Sequence, residues 1–141
     1  MALQSATQLA SRFATFGAIH AFFAVALGAF GAHLLQTHLT EKLFTTFKTA
    51  TYYHLTHAIV LLFISFAAFH FNALKQLRLA GNLIHAGILL FCGSLYSLSL
   101  SGITWLGAIT PLGGLCFLAG WIMLLFTIRQ GFLPASHSND S

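Results

Sequence analysis

Charge is what this chain has least of. Of its 141 residues, six are Lys or Arg and two are Asp or Glu, 6% in all, where a soluble domain carries about a quarter. Eight charges cannot solvate the surface of a 15.3 kDa globule, so a soluble monomeric domain is excluded. A hydrophobic share of 57% and a mean hydropathy of +0.84 place the chain in a membrane instead. There is no basic patch with interleaved aromatics, which excludes nucleic acid as a partner. Cysteine is scarce as well. Cys92 and Cys116 lie in apolar runs and form no CxxC or CxxCH motif, so zinc sites and covalent haem attachment have no support. Both read as small hydrophobes.

The few charges punctuate the chain. They fall at Arg12, Glu41, Lys42, Lys48, Lys75, Arg78, Arg129 and Asp140, leaving residues 13–40, 49–74 and 79–128 charge-free. A membrane-spanning helix needs about 20 apolar residues. The first two intervals each hold one span and the third holds two, so the expected fold is all-α, a single polytopic membrane domain of four transmembrane helices. The expected spans are 12–35, 49–72, 79–100 and 111–129. Residues 1–11 read as a frayed polar lead, 73–78 as a tight turn and 130–141 as a polar tail. Between the first two spans, Leu39, Leu43, Phe44 and Phe47 recur at helical spacing opposite Thr40, Glu41, Lys42 and Lys48. This predicts a short amphipathic helix over 38–48 at the membrane interface, able to run on into the second span. Thr110-Pro111 reads as a cap followed by proline in the first turn, which starts the last helix at Pro111. Ala24-Val25-Ala26 resembles a signal-peptide cleavage site. The apolar run continues to Leu35, however, so a retained helix is expected.

Lys and Arg also set orientation. Arg12, Lys75, Arg78 and Arg129 lie on one side, against Lys42 and Lys48 on the other. The excess predicts that both termini are cytoplasmic, and the lack of an Arg-rich, Ser-rich leader points to a bacterial inner membrane. Small residues recur at steps of three and four: Gly17, Ala21, Ala24, Gly28 and Gly31 in the first span, Gly93 in the third, and Gly113, Gly114 and Gly120 in the fourth. In lipid such stripes let helix backbones approach closely. They are expected to pack the helices and to exceed what four short helices need internally, which points to partner membrane proteins or a homo-oligomer.

Histidine is the one chemical oddity, with eight in the chain. Ionisable groups inside membranes are costly and often functional. Counting helix rise from the expected ends predicts an outer polar layer of His33, Tyr53, His57, Ser94, Tyr96 and Thr110, with His20 and His85 nearer the cytoplasmic face. His38, His70 and His137 lie close to water. Each buried histidine could simply hydrogen-bond a neighbouring helix. A b-type haem between His20 and His85, or between His33 and His57, is one competing reading. Two stacked haems are disfavoured, because the 13-residue spacings from His20 to His33 and from His57 to His70 turn the paired rings about 140° apart. Proton or small-solute transfer through the outer layer is another reading. No span carries Asp or Glu and no inverted repeat is detectable, which counts against it. No carboxylate pair, activated-serine pattern or H-E-x-x-H motif points to an enzyme. No cofactor or metal is expected.

Four segments, read together, carry a resemblance. They are Ala26-Leu27-Gly28-Ala29-Phe30-Gly31-Ala32-His33, Tyr52-Tyr53-His54-Leu55-Thr56-His57-Ala58, Phe91-Cys92-Gly93-Ser94-Leu95-Tyr96, and Thr110-Pro111-Leu112-Gly113-Gly114 followed by Gly120-Trp121. The series resembles the bacterial family called domain of unknown function 423, related to transmembrane protein 256 of animals. The resemblance implies a small four-helix inner-membrane protein of no established activity. It also implies that His33, His57, Gly93, Ser94, Tyr96, Pro111, Gly113, Gly114 and Trp121 are family-pattern positions, while His20, His54, His70 and His85 are not. The leading expectation is a non-enzymatic accessory subunit that packs against partner membrane proteins.

Overall fold

The computed structural model describes residues 2–71 and 73–132. Four helices are long and apolar enough to cross a membrane: Leu3–Leu35, Glu41–Ala67, Leu74–Ser101 and Thr104–Gln130, called spans 1 to 4 here. Span 1 is α1 (Ala2–Phe30) closed by a π-helical turn, Gly31–Leu35. Span 2 is α2 (Glu41–Ala67). Span 3 joins α3 (Leu74–Gly87), a second π turn (Ile88–Cys92) and α4 (Gly93–Ser101). Span 4 is a 3₁₀ turn (Thr104–Ala108) followed by α5 (Thr110–Phe132). The near end of the bundle carries both ends of the described chain and the connection from span 2 to span 3. The far end carries the other two connections.

The expected boundaries shift at three places, each for a packing reason. The polar lead is helical from Ala2, because Ala6, Leu9, Ala10 and Phe13 form an apolar stripe that is buried. The Ser65 hydroxyl also donates to the Ala10 carbonyl at 2.7 Å. The helix expected over 38–48 is no separate element. Thr40 caps α2, its Oγ1 accepting from the Leu43 amide, and Glu41 sits in the first turn where the helix dipole favours an anion. No glycine or proline then interrupts the chain before Ala67. The expected tight turn at 73–78 is helical from Leu74, because Leu77, Ala80, Gly81 and Ile84 present a second buried stripe. Span 3 ends at Gly102, whose φ of +72° is the left-handed cap that glycine alone adopts freely, with its amide on the Leu98 carbonyl. The last helix starts at Thr110. Of the expected tail over 130–141, residues 133–141 lie outside the described residues.

Spans 1 and 2 pack antiparallel, as do spans 3 and 4, and the two pairs meet mainly through spans 2 and 3. Phe13, Leu61, Ile64, Leu77, Ile84, Ile88 and Leu124 form the centre of one apolar core. Glycines set the approach. A Cβ on Gly113 would strike the Phe91 backbone, and one on Gly120 would meet the Ile84 side chain at 2.8 Å. One on Gly17 would meet Leu62 at 2.7 Å, one on Gly28 would meet Thr51 at 3.0 Å, and one on Gly31 would strike Phe47. Ala24 is buried and Ala21 half-buried. Gly114 touches only the Phe91 ring, near 4 Å, and Gly93 has open space where a Cβ would stand. At Gly17, Gly28, Gly31, Gly113 and Gly120 the stripes are filled by neighbouring spans, whereas at Gly93 and Gly114 they are not. Large apolar side chains on the outer faces, among them Phe22, Val25, Leu118 and Ile122, form the lipid-facing surface.

Candidate functional site: a chain of buried histidines

Three spans bring a histidine each to the middle of the bundle. His20 lies 17 residues into span 1, His54 lies 13 into span 2 and His85 lies 11 into span 3. His20 and His54 are buried and His85 is half-buried. The rings bond directly. His20 Nε2 is 3.0 Å from His85 Nδ1, and His20 Nδ1 is 2.9 Å from His54 Nε2. His54 Nδ1 lies 3.3 Å from the Tyr96 hydroxyl, which lies 3.4 Å from Thr51 Oγ1. Thr51 in turn bonds the Phe47 carbonyl at 3.1 Å.

The last acceptor orients every proton in this chain. A carbonyl only accepts, so Thr51 donates to Phe47 and its oxygen accepts from Tyr96. Tyr96, its proton spent, accepts from His54 Nδ1–H. The neutral ring of His54 is then an acceptor at Nε2 and takes His20 Nδ1–H, and His20 Nε2 takes His85 Nδ1–H. All five donors point toward the far end. The chain starts at His85 Nε2, which has no hydrogen-bond partner among the described residues. Among the described residues no buried side-chain nitrogen or oxygen lacks a partner, so this nitrogen reaches the protein surface. From His85 to Tyr96 span 3 rises by about 16 Å, roughly half the hydrocarbon core. At the other end Thr51 lines an open groove of about 290 Å³ with Gly28, Phe47, Lys48 and Tyr52.

The expected outer layer divides. Tyr96 joins the histidine chain. Thr110 donates to Ser94 at 2.8 Å, and Ser94 donates to the Phe91 carbonyl, which pins the start of α5 to span 3. His57 is held apart from both groups. Its Nδ1 lies 2.8 Å from the Tyr53 carbonyl, and its Nε2 accepts from Trp121 Nε1 at 3.3 Å. Its ring stacks on Phe117 with centroids 3.6 Å apart, and the Tyr53 ring lies nearly parallel beside them, 5.8 Å from His57 and 6.2 Å from Phe117. Both His57 nitrogens are thus capped by groups that pass no proton onward. Tyr53, His57, Phe117 and Trp121 line a shallow aromatic groove between spans 2, 3 and 4, of about 540 Å³. His33 is exposed at the far end, and its side chain makes no hydrogen bond among the described residues. His38 and His70 bond carbonyls one turn back, those of Leu34 and Phe66. His137 lies outside the described residues.

Haem does not fit either pair considered from the sequence. His20 and His85 are bonded nitrogen to nitrogen at 3.0 Å, which leaves no room for an iron between them. His57 has both nitrogens occupied, and His33 stands exposed, away from it. Among the described residues no group of three or more His, Cys, Asp or Glu is placed to hold a metal ion.

Spacing alone does not bring His20, His54 and His85 together: a second span that starts at Thr49 puts His54 five residues in, whereas the helix starts at Glu41 and puts it 13 in. One signal was legible: His85, Cys92, Tyr96 and Ser99 recur at steps of seven, four and three, one face of a helix.

The profile of the family described as "Protein of unknown function (DUF423)" matches residues 27–114. A UPF0382 membrane protein of Bacillus subtilis, YwdK, is 46% identical over 113 residues, covering 80% of this chain and 92% of its own. UPF0382 membrane proteins of Staphylococcus aureus and Haemophilus influenzae are 43% and 40% identical, covering 80% and 82% of this chain and 91% and 92% of their own. No solved structure gives a significant match. With four apolar spans and relatives of this kind over most of its length, the chain is a bacterial-type membrane protein belonging to the DUF423 family, whose function is unknown.

Proposed function

We propose that this protein is non-enzymatic and that it binds and relays protons within the bilayer. It would sit in the bacterial inner membrane with both termini cytoplasmic, the near end being the cytoplasmic one. The observation that carries the reading is the unbroken run His85–His20–His54–Tyr96–Thr51, with every donor aimed the same way. The run ends on the Phe47 carbonyl, which cannot pass a proton on, so release requires the Thr51 hydroxyl to turn from Phe47 to the open groove that Thr51 lines. Histidine chains are a recurring means of moving protons through membrane proteins, because each neutral ring accepts at one nitrogen and donates at the other. The lack of an intramembrane carboxylate counts against a relay, and the direct ring-to-ring bonds of the three histidines are what weigh for it.

An accessory role against partner membrane proteins draws on the small-residue stripes. Gly17, Gly28, Gly31, Gly113 and Gly120 each face a residue of a neighbouring span, so that reading has less to stand on.

The test is nitrogen-15 histidine spectroscopy of the protein in liposomes between about pH 8 and about pH 4, a range that brackets free histidine. The rings of His20, His54 and His85 should respond together, to one shared protonation, while His57 responds separately or not at all. Independent titration of the three, or no response from any of them, overturns the proposal.

A further inference from the structure

We infer that the aromatic groove between spans 2, 3 and 4 binds a quinone: a neutral, flat, lipid-soluble ring bearing carbonyl oxygens. Neither Tyr53 nor Trp121 bonds to a side chain of the histidine run, so binding here and the relay can fail separately.

The groove lies within the membrane and opens to it. Tyr53 stands 12 residues inside span 2, counted from Glu41, and Trp121 stands nine inside span 4, counted from Gln130. Tyr and Trp are usually found at the ends of spans, where their polar tips meet headgroups or water. Leu115 and Leu118 line the groove and are exposed, so a ligand enters sideways from the bilayer. The volume of about 540 Å³ falls within the roughly 300–1,000 Å³ of small-molecule sites. Gly114 keeps the wall of span 4 thin, since even a Cβ there would stand 3.9 Å from the Phe91 ring.

The chemistry of the walls selects the ligand. The planes of Tyr53, His57 and Phe117 lie within 26° of one another, a near-parallel set that a flat ring extends by offset stacking. No Lys, Arg, Asp or Glu lines the groove, which favours a neutral ligand. Both His57 nitrogens are filled, one by the Tyr53 carbonyl and one by the Trp121 indole, whose N–H is thereby spent. The Tyr53 hydroxyl is different. Its side chain makes ring contacts, and the hydroxyl has no hydrogen-bond partner among the described residues. A hydroxyl left bare in hydrocarbon is costly. The groove thus offers aromatic walls, no charge and one unused O–H donor. A quinone carbonyl accepts from that O–H while its ring lies against the walls, and an isoprenoid tail runs out past Leu115 and Leu118 into lipid. An acyl chain would fill the same space and leave the hydroxyl bare.

The experiment uses the full chain in liposomes, on a Trp105→Phe background that leaves Trp121 as the one tryptophan. The probe is a naphthoquinone with one isoprenoid unit, and the readout is quenching of Trp121 fluorescence. Quenching should saturate at one quinone per chain. Gly114→Leu fills the groove and should abolish the saturable quenching. Tyr53→Phe keeps the ring, removes the donor and should weaken binding by roughly three- to tenfold; it carries the test if the leucine variant fails to fold. Gly93→Ala, outside the groove, should bind as the unchanged protein does. An isoprenoid alcohol with the same tail and no ring should not displace the quinone. Quenching that rises with quinone concentration and never saturates overturns the site. Equal displacement by the alcohol, or unchanged affinity in Tyr53→Phe, overturns the quinone as its ligand.

Discussion

His54 and His57 stand three residues apart on α2, and both are buried, yet they belong to different kinds of structure. His57 is bonded on one side to a carbonyl of its own helix and on the other to an indole, with Phe117 stacked on its face and Tyr53 nearly parallel beside it. Its partners require the neutral ring and offer a proton no further route. His54 is bonded on one side to another histidine and on the other to a hydroxyl that itself donates onward. The burial is alike and the hydrogen-bond count is alike. What separates them is whether each partner is also a donor to something else. Burial of an ionisable group in a membrane therefore says less about its role than the connectivity of its partners does.

That contrast can be broken at its strongest point first. His20→Phe removes the centre of the chain and leaves His54 Nε2 and His85 Nδ1 without partners. It should abolish shared titration and cost about 2 kcal/mol, since two polar groups lose their bonds. The cost would be read by denaturant-induced unfolding in mild detergent. A variant that still shows coupled titration of His54 and His85 would refute the chain. Tyr96→Phe comes next. It takes the acceptor from His54 Nδ1–H and severs the route to Thr51, so His54 should decouple from the far-end groove at a cost of about 1 kcal/mol. Hydrogen exchange at the His54 ring is the readout, and an unchanged exchange rate would argue against the route. Trp121→Phe tests the other side of the comparison. It removes one bond to His57, a loss of about 0.6 kcal/mol for an interhelical bond in a membrane, and should leave the titration of His20, His54 and His85 unaltered. Coupling between Trp121 and those rings would erase the distinction drawn here. The smallest effect is expected from Gly93→Ala, where a Cβ meets open space. Alanine should be neutral or stabilise span 3 by up to about 1 kcal/mol through helix propensity.

Much of the fold was legible before any coordinates. Charge-free intervals marked four spans, and Thr110-Pro111 marked the start of the last helix. What misled was polarity read residue by residue. The lead before Arg12 looked frayed because Gln4, Ser5, Thr7, Gln8 and Ser11 dominate its composition, although Ala6, Leu9, Ala10 and Phe13 form a buried stripe between them. Lys75 and Arg78 looked like a turn, although they extend from the exposed side of a helix whose other side buries Leu77 and Ile84. The candidate site was harder. Tyr53, His57, Ser94, Tyr96 and Thr110, read from helix rise as one layer, divide into three groups. His33, matched by resemblance, turns outward.

Eight charges in 141 residues determined that this protein lives in lipid, how many times it crosses, and that its histidines have no acidic partner inside the membrane. These are properties of composition and order along one chain, and transfer energies act on each residue in place. Which histidine meets which was decided only by tertiary structure. Depth and rotation within a bundle are set by close contacts such as Gly17 on Leu62 and Gly113 on Phe91. A shift of one residue along either helix would turn a ring by about 100° and unmake the chain.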